Sequence, residues 1–223
     1  MSSQPTTRRA LLLGSLAASA ALVLSACGSS GGSAASASAG DARPSHLAAS
    51  SAYQGTALQR TFAKPDVTLT DTSGKPYDLA KATAGKAVLL YFGYTHCPDV
   101  CPTTMGDIAV AVSKLPKADQ QKIAVVFVST DPARDTPSEM RSWLDSFNPA
   151  FVGLTGDINT IIAAAKSVGV FVAAPVKGQE PVHGAQVLAF LPTDDKAHVL
   201  YTSGTPSSVF RHDLPLLVKG VAS

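Results

Sequence analysis

The sequence has 223 residues, 45% of them hydrophobic, and a formal net charge of +2. That is long enough for one well-packed domain plus appendages and too apolar for a disordered chain. Arg8 and Arg9 stand at the extreme N-terminus, and without that segment sixteen basic residues balance sixteen acidic ones, a body with no basic footprint for nucleic acid.

Arg8-Arg9, an apolar run from Ala10 to Leu24 and then small residues follow the charged, apolar, small order of an export signal. Residues 1–26 are therefore read as a signal peptide and kept out of the fold. Leu24-Ser25-Ala26-Cys27 resembles a bacterial lipobox, which implies lipidation of Cys27 and a new N-terminus there. The run is shorter than the roughly 20 residues of a spanning helix. Thr7-Arg8-Arg9 also resembles a twin-arginine signal, although paired basic residues occur in ordinary signals, so the export route stays open. Residues 27–54 are rich in Gly, Ser and Ala and read as a flexible tether. The folded domain is expected over 55–223.

Within Phe62 to Leu79, Val67-Thr68-Leu69-Thr70 and Tyr77-Asp78-Leu79 flank the turn chemistry of Asp71-Thr72-Ser73-Gly74-Lys75, which predicts a β-hairpin opening the domain. Lys86 to Tyr94 and Ile123 to Ser129 are continuous apolar runs suited to central strands of a sheet covered on both faces. Between them Met105, Ile108, Ala109, Val112 and Leu115 recur at helical spacing. Helices are predicted over Pro137 to Phe147 and Ile158 to Val168, with a short strand at Phe151 to Leu154. A hairpin follows over Gln186 to Leu191 and Ala197 to Tyr201, then a closing helix over Pro206 to Lys219, which Pro215 should kink or shorten. Trp143 and Phe147 read as core. The alternation is that of an α/β fold, a central mixed sheet flanked by helices.

Cys97-Pro98-Asp99-Val100-Cys101-Pro102 follows a central strand and precedes a helix, where open α/β sheets place their chemistry. The prolines favour a turn before a helix starting near Pro102, whose free N–H groups favour thiolates. Two sulfurs four residues apart suit redox chemistry, metal binding or both. A structural disulfide would close too small a loop to constrain much, and reduced buried thiols fit poorly with an exported protein. Thiolates select copper or zinc over magnesium or calcium, and a third donor is then needed. His46 lies in the tether, alternation turns His96 away from Cys97, and His198 and His212 read as surface or packing residues. His183 follows the loop Pro175 to Pro181 and opens a strand; spacing alone leaves its role open.

With these residues assembled, the chain resembles the Sco/SenC family of copper proteins from about Phe62 to Leu217. The matching stretches are Phe92 to Pro102, Asp131-Pro132-Ala133-Arg134-Asp135-Thr136-Pro137, Phe151 to Gly156, and His183. The resemblance implies a thioredoxin-like fold, a copper ion held by Cys97, Cys101 and His183, and maturation of the dinuclear copper centre of cytochrome c oxidase. It also implies a copper donor protein and, with Cys27, a lipid anchor on the extracytoplasmic face of the cell membrane. Asp99 belongs to the family motif as an acidic residue that tunes the thiols or meets a partner, not as a ligand. Asp131 to Pro137 is expected to be scaffold, with Asp135 or Thr136 capping a helix. The family often flanks the histidine with an acidic and a hydroxyl residue; here Val182 and Gly184 stand there, so a partner for the His183 ring must come from elsewhere.

Two functions compete. A copper chaperone would depend on His183; a thiol-disulfide reductase using Cys97 and Cys101 would not. Reductases of this fold usually carry C-x-x-C, and the extra residue here favours a metal. A peroxidase would need Thr95 and Arg134 arranged around a single reactive cysteine, and the second cysteine argues against it.

Overall fold

The computed structural model describes residues 51–222; the export segment, Cys27, His46 and nearly all of the predicted tether lie outside them. One eight-stranded sheet organises the described residues. At its centre are β4 (Ala87–Gly93) and β5 (Ile123–Ser129), paired in parallel from Ala87↔Ile123 to Gly93↔Ser129. Along β4 the side chains alternate: Leu89 and Tyr91 join one apolar cluster, whereas Val88, Leu90 and Phe92 join the other. A strand covered on both faces has no polar side, which is why these two read as unbroken apolar runs.

On the first face lie α2 (Val100–Ser113), α4 (Pro137–Asp145) and α6 (Ser207–Val218). Met105 and Ile108 of α2, Met140 and Leu144 of α4, and Phe210 and Leu214 of α6 share the cluster with Tyr91 and Phe127, each contributing about 1.5–3 kcal/mol by burial. Trp143 and Phe147 pack against it as predicted, with the Trp143 ring 4.9 Å from that of Phe127. The second face is covered by α5 (Ile158–Ser167), through Ile161 and Ala165, and by Leu79 of the short α1 (Leu79–Ala82). A further short helix, α3 (Lys117–Gln120), precedes β5.

The full strand order is β1-β8-β7-β4-β5-β6-β2-β3. β6 (Val152–Thr155) runs parallel to β5, and β7 (Val187–Phe190) and β8 (Lys196–Tyr201) run antiparallel beyond β4. With helices on both faces of this mixed sheet, the fold is thioredoxin-like. The predicted hairpin is present as β2 (Thr68–Asp71) and β3 (Pro76–Asp78). It does not open the domain: β1 (Thr56–Ala63) comes first and pairs with β8 at the opposite edge. Its residues are exposed or half-buried, and its register shifts between Ala57 and Phe62, so it has no clean alternation to betray it.

The ends of the domain are tied together by one buried carboxylate. Asp213 of α6 accepts from the backbone N–H groups of Gln54 and Gly55, each at 2.8 Å, and from the Tyr201 hydroxyl at 3.0 Å. Tyr53 is buried beside them and donates its hydroxyl to the Val221 carbonyl. Pro215 does not shorten α6, which runs on to Val218. Among the described residues no helix is long and apolar enough to cross a membrane.

Candidate metal centre

The end of β4 and the start of α2 form the site. After Gly93 the chain turns through Thr95 and His96, with the Cys97 N–H donating to the Tyr94 carbonyl at 3.3 Å. Helix α2 begins at Val100, two residues before the predicted start, so Cys101 sits inside its first turn. Asp99 is the N-cap residue but its side chain caps nothing; it is exposed and points to no sulfur contact of its own. Both cysteines are free thiols.

The expectation that the helix start favours both thiolates holds for one sulfur only. Burial pushes the Cys97 thiol up, but the backbone N–H groups of Asp99 and Cys101, the Cys101 thiol and the Tyr94 hydroxyl outweigh it, and its pKa falls below the ordinary value. The Cys101 N–H lies 3.4 Å from the Cys97 sulfur. Cys101 itself is 0% exposed, and burial drives its thiol up to about 12 despite a 3.4 Å hydrogen bond from the Tyr91 hydroxyl. Of a pair on one turn, the outer sulfur is activated and the inner one is held protonated.

His183 arrives from a distant segment. Val172 and His183 form an isolated antiparallel bridge, flanked by Ala173 N–H to the Val182 carbonyl at 2.9 Å and Gly184 N–H to the Phe171 carbonyl at 2.7 Å. Two tyrosines meet the imidazole edge to face: Tyr94 at 5.7 Å and 87°, Tyr91 at 6.4 Å and 83°. Nε2 lies 4.0 Å from the Cys101 sulfur, while Nδ1 is 3.1 Å from the Gly184 carbonyl. A carbonyl only accepts, so Nδ1 carries the proton and Nε2 turns its lone pair toward the cysteine. The partner for the ring, missing from residues 182 and 184 as side chains, is the backbone of Gly184. Burial holds the His183 pKa below its usual value, leaving the ring neutral.

A sulfur and a nitrogen bound to one metal at about 2.3 and 2.0 Å stand roughly 3.5–4.3 Å apart, and the Cys101–His183 distance falls in that range. Two thiols and a neutral imidazole form a borderline-soft donor set that fits copper. Among the described residues no group of three or more His, Cys, Asp or Glu side chains is placed so that it could hold a metal ion; His183 Nε2 approaches the Cys101 sulfur, and Cys97 is tied to Cys101 through the Cys101 N–H.

Of Asp135 and Thr136, the two expected caps, the second caps the helix and Asp135 has another task. Thr136 is the N-cap of α4, in a reciprocal capping box with Glu139. Asp135, fully buried, accepts from Thr95 N–H at 3.1 Å, from Thr95 Oγ1 at 2.6 Å and from Ser129 Oγ at 2.6 Å. It thereby pins the turn that carries Cys97 to the end of β5. Arg134 pairs with Asp131 and, at 2.9 Å, with Glu180 of the loop leading to His183. Thr95 and Arg134 are thus committed to carboxylates, unlike the arrangement a peroxidase would need. His198 and His212 follow expectation: His198 pairs with Asp194 at 2.9 Å and His212 with Asp213 at 2.7 Å.

Gly93 completes the cradle. A Cβ there would stand 3.0 Å from the Cys101 sulfur, 2.9 Å from Tyr91 and 3.0 Å from Phe127. Gly93→Ala is expected to destabilise the fold by about 1–3 kcal/mol through overpacking and to displace Cys101. Urea denaturation with a thiol-accessibility assay checks this, and a variant as stable and as protected as the wild type would contradict it.

Residues 55–212 match the family model described as SCO1/SenC. The chain belongs to the SCO1/SenC family. It is 39% identical over 127 residues to Protein SCO2, mitochondrial, of Saccharomyces cerevisiae, an alignment covering 57% of this chain and 40% of the yeast protein. Among solved structures it resembles Bradyrhizobium japonicum ScoI with copper bound, at 32% identity and a TM-score of 0.59, over 72% of this chain and 99% of that one. It also resembles a SCO1/SenC family lipoprotein from Bacillus anthracis, at 25% identity and a TM-score of 0.61, over 72% and 99%. The SCO1/SenC match begins one residue before β1, so this edge strand belongs to the family domain.

Proposed function

We propose that this chain is a copper carrier that binds one copper ion through Cys97, Cys101 and His183 and delivers it to the dinuclear copper centre of cytochrome c oxidase or to another exported copper enzyme. The observation that carries the reading is the approach of His183 Nε2 to the Cys101 sulfur at 4.0 Å, with the tautomer fixed by Gly184. Two thiols alone serve a reductase; a neutral imidazole aimed at them serves a metal. Copper in the 32% identical Bradyrhizobium japonicum structure supports the same cargo here. Lipidation at Cys27 would hold the carrier on the extracytoplasmic face of the membrane, behind its tether, and the lipoprotein from Bacillus anthracis supports that placement. A copper donor protein would load it.

One observation favours a second activity, reduction of the acceptor's disulfide. The half-exposed, acidified Cys97 beside the buried Cys101 has the asymmetry of a nucleophilic and a resolving thiol. Cys97 thiolate would attack one acceptor sulfur and release the other as a thiolate. Cys101, losing its proton, would then free the second and leave a Cys97–Cys101 disulfide. The two readings part on His183. Copper-loaded wild type should transfer its ion to the reduced copper domain of the oxidase subunit and His183→Ala should not, while both should reduce the oxidised domain if the second activity is real. Transfer undiminished in His183→Ala would refute the carrier reading.

Copper binding is expected to strengthen with pH. Both sulfurs bind as thiolates, and Cys101, with its pKa near 12, gives up a proton at every lower pH. Affinity should therefore rise roughly tenfold per pH unit, and about a hundredfold per unit below the lowered Cys97 pKa, where two protons leave. Competition titrations between pH 5.5 and 8.5 measure the slope; a flat profile would contradict thiolate binding.

A further inference from the structure

The donors come from two distant segments, and one short turn after β5 reaches both. Asp135 pins the Cys97 turn from behind. Its neighbour Arg134 reaches the other way, to the segment that carries His183. The guanidinium grips Glu180 as a fork, Nη1 donating to Oε1 at 3.3 Å and Nη2 to Oε2 at 2.9 Å. An ordinary surface ion pair contributes little, because two long side chains must be ordered to make it. Arg134 is ordered already: Asp131 accepts from its Nε, the Tyr94 ring centroid lies 5.8 Å from its Cζ, and its own N–H donates to the Asp131 carbonyl at 3.1 Å.

The arm that presents His183 needs such a grip. At its base it is closed by the Val172–His183 bridge and the Ala173 N–H to Val182 carbonyl hydrogen bond. Every residue from Ala174 to Glu180 is exposed, so little apolar packing holds this stretch. A cavity of about 350 Å³ lies between it and the turn at residues 131–134. The Gln179 N–H donates to the Val176 carbonyl at 3.0 Å, which closes the tip on itself. Among the described residues, the contacts that cross from this stretch to the body end on Glu180. The Arg134 fork, with help from the Tyr94 hydroxyl, holds the Glu180 carboxyl below the usual carboxylate range. Tyr94 also meets the His183 ring edge to face at 5.7 Å.

We infer that Arg134 and Glu180 are positioning residues for His183: their ion pair is a strut that holds the arm across the cavity and keeps the imidazole facing the Cys101 sulfur. This rests on the carrier reading above. The turn from Asp131 to Thr136 then sets both halves of the donor set, Cys97 through Asp135 and His183 through Arg134. Without the strut the arm hangs on the bridge at its base and samples positions in which Nε2 has left the sulfur. Copper affinity falls in proportion to the fraction of molecules with the arm in place.

Chelator competition for copper(I) in the wild type, Glu180→Ala, His183→Ala and the double variant tests this, beside amide hydrogen exchange on the metal-free proteins. Glu180→Ala is expected to weaken copper binding about tenfold, the low end of what a residue orienting a ligand contributes. Glu180→Gln, which keeps an acceptor but no charge, should lose less, and Arg134→Ala should match Glu180→Ala. In the His183→Ala background Glu180→Ala should cost nothing further, since no imidazole is left to place. Exchange at the Ala173 and Gly184 N–H groups should quicken in Glu180→Ala while β4 stays protected. An equal loss of affinity in both backgrounds would overturn the inference, as would unchanged affinity or unchanged exchange. A wild-type protein that takes no copper would instead overturn the carrier reading, and this one with it.

Discussion

Cys101→Ser is expected to weaken copper binding by more than about a hundredfold while leaving the domain folded. Losing only a hydrogen-bond partner behind a ligand costs about 10–100-fold in affinity, and losing the ligand itself must exceed that. Oxygen is a hard donor and does not substitute for sulfur toward copper. Serine nonetheless fills the same space among Tyr91, Gly93 and Phe127, and the Tyr91 hydroxyl that donates to Cys101 at 3.4 Å can donate to the new oxygen. Affinity by chelator competition and a melting curve separate the two effects. An unfolded variant would show that Cys101 is chiefly a core residue, and a folded one with wild-type affinity would remove it from the site.

Asp135→Ala is expected to cost about 3–5 kcal/mol, because it strands a part-buried N–H and two hydroxyls that now end on one carboxylate. For a domain of this size that is a fall in Tm on the order of 10 °C. Copper affinity should fall with it, since the Cys97 turn loses its tie to β5. Asp135→Asn keeps the shape but turns donors toward donors, and should lie between wild type and alanine. Thermal unfolding with and without copper checks the series; a stable Asp135→Ala variant with intact copper binding would mean that the turn holds itself.

The elements that carry the site were readable because each obeys one local rule. β4 and β5 are apolar throughout, α2 repeats its apolar face every three or four residues, and the cysteine motif sits between them. The capping of α4 by Thr136 is a matter of four neighbouring residues. What stayed hidden is non-local. β1 is an edge strand whose partner lies more than a hundred residues away and whose register shifts within it. His183 is placed by a single bridge to Val172, in a stretch with no strand pattern, so its position near Cys101 followed from resemblance rather than from spacing. Asp135 stood beside Thr136 as a candidate cap because its true partner, Thr95, is forty residues upstream. The split of the two thiols also needed the fold, since only the packing decides which sulfur faces the core.

The proposed three-donor centre is tested most directly by X-ray absorption at the copper edge of the copper(I)-loaded protein, compared with His183→Ala. Wild type is expected to show two sulfur neighbours at about 2.2–2.3 Å and one nitrogen at about 2.0 Å, and the variant to lose the nitrogen and keep the sulfurs. Identical spectra from the two proteins would contradict the assignment of His183, and a shell without sulfur would contradict the site.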